Sequence, residues 1–311
     1  MLYLVCLGVS LGTVEGLRAQ WVPPVPPPPQ KVEQVVIAVP PKPQGVRDDA
    51  GKGDDDGAWT EQRCRQLDGE LRDVCLHQVA RRRARTDLEG ARGACADLSD
   101  PALRDECSAD VAELHAPTDR DASLAVCPTI ELEKWRDQCV FGISLALSTL
   151  DSPFAFRLCD DAGQWRDFCR HDVNGEIAQV NDALAWAHCA ADEGDVLTRK
   201  TCWHGIGKYV ARVDVDRAFA LCERVPAGPD DLYQENCYHG LGWGASETAG
   251  QDFVPECARA GAKAPSCRLG VAYNLRRFDP AAALELCEAV GRPDLNAQCI
   301  EFVTRGKLRG G

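Results

Sequence analysis

The sequence predicts an all-α solenoid of about seven αα-hairpin repeats, each 30–35 residues long and stapled by disulfides. Three observations carry that expectation. Sixteen of the 17 cysteines recur in two alternating sets, the segment from one set to the other has a constant length, and the residues inside it follow helical spacing.

The first set is Cys64, Cys95, Cys127, Cys159, Cys189, Cys222, Cys257 and Cys287; the second is Cys75, Cys107, Cys139, Cys169, Cys202, Cys237, Cys267 and Cys299. Each step from a second-set cysteine to the next first-set cysteine is 20 residues, whereas the step from first to second varies between 10 and 15. A segment of fixed length is a rigid supersecondary unit and a variable one is a loop. Counting back from the closing cysteine, the fourth residue is Ala91, Ala155, Ala185, Ala218 or Ala283 in five units, and the eighth is Asp87, Asp119, Asp151, Asn181, Asp214 or Asp279 in six. Asp or Asn ahead of a small, packed stripe at four-residue steps reads as a helix N-cap. Around the opening cysteine lies a second helix. Leu71, Leu103, Trp135, Trp165 and Leu295 stand four residues before it, and Val79, Val111, Ile143, Val173, Ile206, Leu241, Val271 and Val303 four after. That spacing gives one buried face with cysteine at its centre. The Arg-Asp pairs Arg72-Asp73, Arg104-Asp105, Arg136-Asp137 and Arg166-Asp167 read as exposed residues of its first turn. Two short helices cannot bury their faces alone, so neighbouring pairs are expected to stack.

Composition bounds the function. Thirty-five Lys and Arg against 48 Asp and Glu give a net charge of -13, which argues against nucleic acid or an anionic membrane surface as partner. No apolar run approaches the ~20 residues of a membrane-spanning helix. Residues 2–11 (LYLVCLGVSL) read as the apolar part of a secretory signal peptide over residues 1–19, so the chain is expected to be exported, to the periplasm, the cell surface or the outside. Residues 20–58 hold a proline-rich run and an acidic, glycine-rich stretch, expected to form a linker ahead of a cysteine-rich helical domain over 59–308.

The last full unit reads Leu269-Gly270-x-x-Tyr273, then Asp279, Ala283 and Cys287. It resembles a Sel1-like or tetratricopeptide-type repeat, particularly the secreted cysteine-rich Sel1-like proteins, and the similarity spans residues 60–306 in architecture. The resemblance implies disulfide-linked helix pairs and a scaffold that binds a protein or peptide.

Independently of it, counting favours pairing across each variable loop: Cys64–Cys75, Cys95–Cys107, Cys127–Cys139, Cys159–Cys169, Cys189–Cys202, Cys222–Cys237, Cys257–Cys267 and Cys287–Cys299. The alternative, pairing across the constant segment, strands Cys64 and Cys299. Disulfides accord with export.

Function is less legible. No CxxC occurs, which removes zinc-ribbon and thioredoxin-like sites. Four histidines, His77, His171, His204 and His239, nonetheless stand two residues after a second-set cysteine. A copper- or zinc-binding protein using reduced cysteines and these histidines is therefore the alternative to the scaffold. In a helix, however, residues i and i+2 point to different faces, so these histidines read as partly exposed surface groups. Two units share more: Cys202-Trp203-His204-Gly205-Ile206-Gly207 and Cys237-Tyr238-His239-Gly240-Leu241-Gly242. Their glycines read as points of close helix approach, since no strand or complete GxGxxG accompanies them. Most aromatics in this region read as core. Trp203, His204, Tyr238 and His239, placed off the cysteine stripe, are the candidate partner-binding residues. No HExxH, GxSxG or P-loop appears, so neither an enzyme nor a cofactor is expected.

Overall fold

The computed structural model describes residues 60–191 and 195–308. The signal-peptide and linker expectations, and the start of the domain at Trp59, lie outside the described residues.

Among these residues there are helices and no strands. They alternate between short and long. The long ones are α2 (Gly69–Ala84), α4 (Pro101–His115), α6 (Glu133–Leu147), α8 (Arg166–Val180), α10 (Val196–Ala211), α12 (Leu232–Ala249), α13 (Ala264–Leu275) and α15 (Pro293–Leu308). Between them run α1 (Glu61–Cys64), α3 (Leu88–Ala96), α5 (Arg120–Leu124), α7 (Ser152–Leu158), α9 (Asp182–Ala191), α11 (Val215–Arg224), a 3-10 stretch over Gly250–Lys263, and α14 (Pro280–Glu288). Each long helix packs on the next long one, so together they form one continuous layer, and the short helices cover its other side. This is a solenoid of αα-hairpins.

Eight disulfides join each short segment, within it or just after it, to the first half of the following long helix, from Cys64–Cys75 and Cys95–Cys107, through Cys127–Cys139, Cys159–Cys169, Cys189–Cys202 and Cys222–Cys237, to Cys257–Cys267 and Cys287–Cys299. All sixteen sulfurs lie in the core. The short helices start as their sequence dictates. Asp87, Asp119, Asp151, Asn181, Asp214 and Asp279 each accept a hydrogen bond from a backbone N–H two or three residues on, at 2.8–3.3 Å. The five alanines four residues later are fully buried, as small residues must be where two helices close on each other.

Two expectations are corrected. The aspartates of the Arg-Asp pairs are not simple surface charges. Asp73 accepts from the Ser99 backbone N–H, Asp105 from Glu131 and Leu132, Asp137 from Gln164, and Asp167 from the Thr198 hydroxyl. Each carboxylate thus satisfies donors at the start of the next repeat's long helix or in the loop before it, fastening one repeat to the next. Burial of Asp73 opposes its ionisation, but the hydrogen bonds from Ser99 and the charge of Arg72 hold it below the usual carboxylate range. The other correction is Leu71, which is 71% exposed although its position belongs to the apolar stripe. It lies on α2, the first long helix, and no preceding long helix among the described residues covers that flank.

Glycines set the spacing of the long helices that matter below. A Cβ at Gly205, Gly240 or Gly270 would overlap the carbonyl oxygen of His171, His204 or His239, respectively, on the preceding long helix. Only a residue without a Cβ lets α8, α10, α12 and α13 approach so closely. Gly240→Ala is therefore expected to push α10 and α12 apart and cost about 1–3 kcal/mol of stability. An unchanged thermal transition would show that the contact is not needed.

Candidate functional site

The long-helix layer carries a cavity of about 670 Å³ running across α8, α10, α12, α13 and α15. Because the glycines hold these helices close, side chains at equivalent positions meet ring to ring. His171 on α8 stacks on His204 of α10 with centroids 4.9 Å apart, and His204 meets His239 of α12 at 4.9 Å. His239 then abuts Tyr273 of α13 edge-on at 5.0 Å, and Tyr273 stacks on Phe302 of α15 at 3.8 Å. The fourth histidine of the pattern, His77, lies away from this row and contacts Asp110 at 3.1 Å.

The row has a definite polarity. His171 Nδ1 lies 2.6 Å from an Asp172 carboxylate oxygen, and His171 Nε2 lies 2.6 Å from His204 Nδ1. The carboxylate can only accept, so His171 Nδ1–H donates to it. Burial works against Asp172 ionising, but the hydrogen bond and charge of His171, with help from Tyr209 and Lys208, hold it below the ordinary carboxylate range. Burial pushes His204 well below the ordinary imidazole range, and the neighbouring His171 and His239 push the same way. His239 falls to about 4, through burial first and then through Lys200 and His171. These two rings are neutral at pH 7.

One helical turn after the histidines stands a second row. Lys208 follows His204, and Trp243 follows His239. The Trp243 ring is flanked by Lys208 Nζ at 5.2 Å and the Arg277 guanidinium carbon at 5.5 Å from its centroid. Burial, together with repulsion from Arg212 and Arg277, lowers the Lys208 pKa against the pull of Asp172. Two polar atoms here are buried without a hydrogen-bond partner: His239 Nε2 and Trp243 Nε1–H. Buried donors are normally satisfied, so this pair marks a place where a ligand atom would be welcome. Toward α15, Arg292 is already engaged bidentately by Glu235 at 2.5 and 3.1 Å and by Asp294 at 3.0 Å.

The structure brings His204 and His239 together on the cavity wall but separates them from Trp203 and Tyr238. Trp203 is 1% exposed and meets Trp186 edge-on at 4.8 Å; Tyr238 is 6% exposed and packs near Phe219 at 6.2 Å. The expectation that these two aromatics stand as exposed anchors is corrected: both belong to the core between long and short layers. The reason is angular. One residue advances a helix by about 100°, so the position after a buried cysteine still falls within the wide arc that a helix packed on both sides buries, and the position after that does not. The residues missed by reading the sequence, Lys208 and Trp243, lie at i+4 from the histidines and so share their face.

Among the described residues every cysteine is in a disulfide, and no group of three or more His, Cys, Asp or Glu is arranged to hold a metal ion. No hydroxyl is hydrogen-bonded to a histidine among them. The cavity combines aromatic walls, neutral histidines and the cations Lys200, Lys208 and Arg277. Comparison with protein-family models, with curated proteins and with solved structures found no match.

Proposed function

We propose that this chain is an exported, disulfide-stapled helical-repeat scaffold, of the Sel1-like or tetratricopeptide kind, that captures a protein or peptide partner in the cavity of its long-helix layer. The observation that carries the reading is the cavity itself: aromatic rings in a row beside two buried, unpartnered polar nitrogens and cationic side chains. Eight disulfides support an oxidising compartment and hence export. No helix among the described residues is long and apolar enough to cross a membrane. The metal-binding alternative loses its thiolates to those disulfides, and among the described residues no group of three or more remaining ligands is gathered for it. The scaffold is read as non-enzymatic because, among the described residues, no hydroxyl or thiol is paired with a histidine as an activated nucleophile.

The test is selection of a displayed random-peptide library on the oxidised full chain. Enriched peptides are expected, and Trp243→Ala with Tyr273→Ala should weaken them by about 2 kcal/mol or more, the scale of an interface hot spot. Trp203→Ala should lower the thermal transition instead, with the peptide affinity of the still-folded fraction kept. Failure to enrich any peptide, or enrichment indifferent to Trp243 and Tyr273, would remove the cavity from consideration.

A further inference from the structure

Resting on that reading, we infer that the centre of the cavity is a subsite for an internal acidic side chain, Asp or Glu, of the bound partner segment.

The charges around the cavity are unevenly committed. Glu235, Arg292 and Asp294 neutralise one another at the α15 end, with Lys263 also 3.8 Å from Glu235. Asp172 is occupied by His171 at the α8 end. Lys200, Lys208 and Arg277 all line the cavity between these ends, and no side-chain hydrogen bond or contact ion pair to them is formed among the described residues, although Asp172 and Glu247 attract Lys208 from a distance. Three cations therefore line one stretch of the cavity with no carboxylate in direct contact, and they do so in a chain whose net charge is -13. Burial, and then repulsion from Arg212 and Arg277, disfavours the charged form of Lys208. An anion placed among the three cations relieves that repulsion and gains charge-assisted hydrogen bonds.

The unpartnered nitrogens fit the same ligand. Trp243 Nε1–H can only donate, and neutral His239 donates from Nε2 when its proton sits there. A carboxylate offers two acceptor oxygens to these two groups, and a neutral apolar group satisfies neither. The two atoms belong to residues one turn apart on α12, between the Lys208 and Arg277 side chains.

Position and surroundings narrow the ligand further. The cavity continues past the cations in both directions, toward Phe168 on α8 and toward Leu295 on α15. A chain lying along it has its acidic group in the middle, with residues on either side, so the carboxylate is a side chain and not a chain end. Phe168, Leu269, Tyr273 and Leu295 supply apolar surface for those flanking residues. The acidic balance of the rest of the molecule disfavours a polyanion but leaves room for a single carboxylate.

Four pools of labelled peptides, identical in their randomised apolar and aromatic flanks, test the assignment by fluorescence anisotropy on the oxidised full chain. The first pool carries a central Glu and an amidated C-terminus, the second a central Gln and an amidated C-terminus, the third a central Gln and a free C-terminal carboxylate, and the fourth a central phosphoserine and an amidated C-terminus. The Glu pool is expected to bind about tenfold more tightly than the Gln amide pool, the worth of one charge-assisted hydrogen bond. Lys208→Gln with Arg277→Gln should erase that difference, bringing the Glu and Gln amide pools to equal affinity on the variant. In the wild type, raising salt from about 0.05 to about 0.5 M should narrow it, an arm that needs no variant to fold. Equal binding of the Glu and Gln amide pools overturns the acidic subsite and leaves the peptide-binding reading standing. Tighter binding of the free-terminus pool overturns the internal position, and tighter binding of the phosphoserine pool overturns the carboxylate. Binding of no pool overturns both the subsite and the scaffold reading.

Discussion

Replacing Cys189 and Cys202 together by alanine is expected to lower the stability of the oxidised chain by about 3 kcal/mol, and full reduction is expected to unfold it. The bridge closes a loop of sequence separation 13, and the eight loops range only from 10 to 15. Loop-closure entropy changes slowly with length, so every bridge is worth a similar amount. Eight such terms together exceed the roughly 5–15 kcal/mol by which a domain is stable, so even a fraction of them makes the fold depend on oxidation. Location decides how the loss is felt. A solenoid is held by nearest-neighbour interfaces, so loosening a central hairpin uncouples the two halves of the stack. Loosening Cys64–Cys75 in the first hairpin frays only an end. Calorimetry should therefore show a lowered or split transition for the Cys189/Cys202 variant and a small, broadened low-temperature shoulder for the Cys64/Cys75 variant. Intact mass should rise by about 16 units on reduction, two for each of the eight bridges. If the reduced chain keeps its far-ultraviolet dichroism and its melting point, the bridges are accessories to a fold that hydrophobic packing already holds.

The architecture was legible because repeats impose the same local problem several times over. A cap such as Asp214 and a small residue such as Ala218 recur at fixed distances from Cys222 and its equivalents, and each answers a need of one hairpin that neighbours do not alter. The Asp73 carboxylate was misread for the opposite reason. Its partners, the backbone N–H and hydroxyl of Ser99, come from the next repeat, and no periodicity within one hairpin reveals them. The site was half legible. His204 and His239 stood out by their offset from the cysteines, but which side of the helix faces open space depends on where the short layer lies, and that placed Trp203 against Trp186 instead of on the surface. Lys208 and Trp243 share the histidine face by simple helical spacing, although different residue types in successive repeats hide the correspondence. Arg277 follows the end of α13 and reaches Trp243 only through packing between repeats, so nothing local to its own hairpin marks it.

The histidine row should make the fold sensitive to mild acid, and His239 offers the clearest measurement. Its ring is held neutral, with a pKa of about 4, because protonation would place a charge in a buried position facing Lys200 and His171. In the unfolded chain the same ring takes up a proton near pH 6.5. A depressed histidine pKa leaves stability intact above pH 6.5; as pH falls from there toward 4, the unfolded state binds a proton that the folded state refuses, and stability drops. The gap corresponds to about 3 kcal/mol, essentially all lost by pH 4. Other groups titrate nearby with different signs. Glu113 and Glu176, raised chiefly by burial, regain stability as they protonate, whereas Asp172, held low by His171, adds its own loss only in stronger acid. The difference between the wild type and His239→Gln removes these shared contributions. Denaturant unfolding at intervals between pH 7 and 4 should show the wild type losing about 3 kcal/mol more than His239→Gln over that range. Parallel curves would mean that the ring is protonated at an ordinary pKa within the folded chain. Such a ring would be open to water, and the cavity would then lack the desolvated nitrogen on which an acidic ligand is proposed to seat.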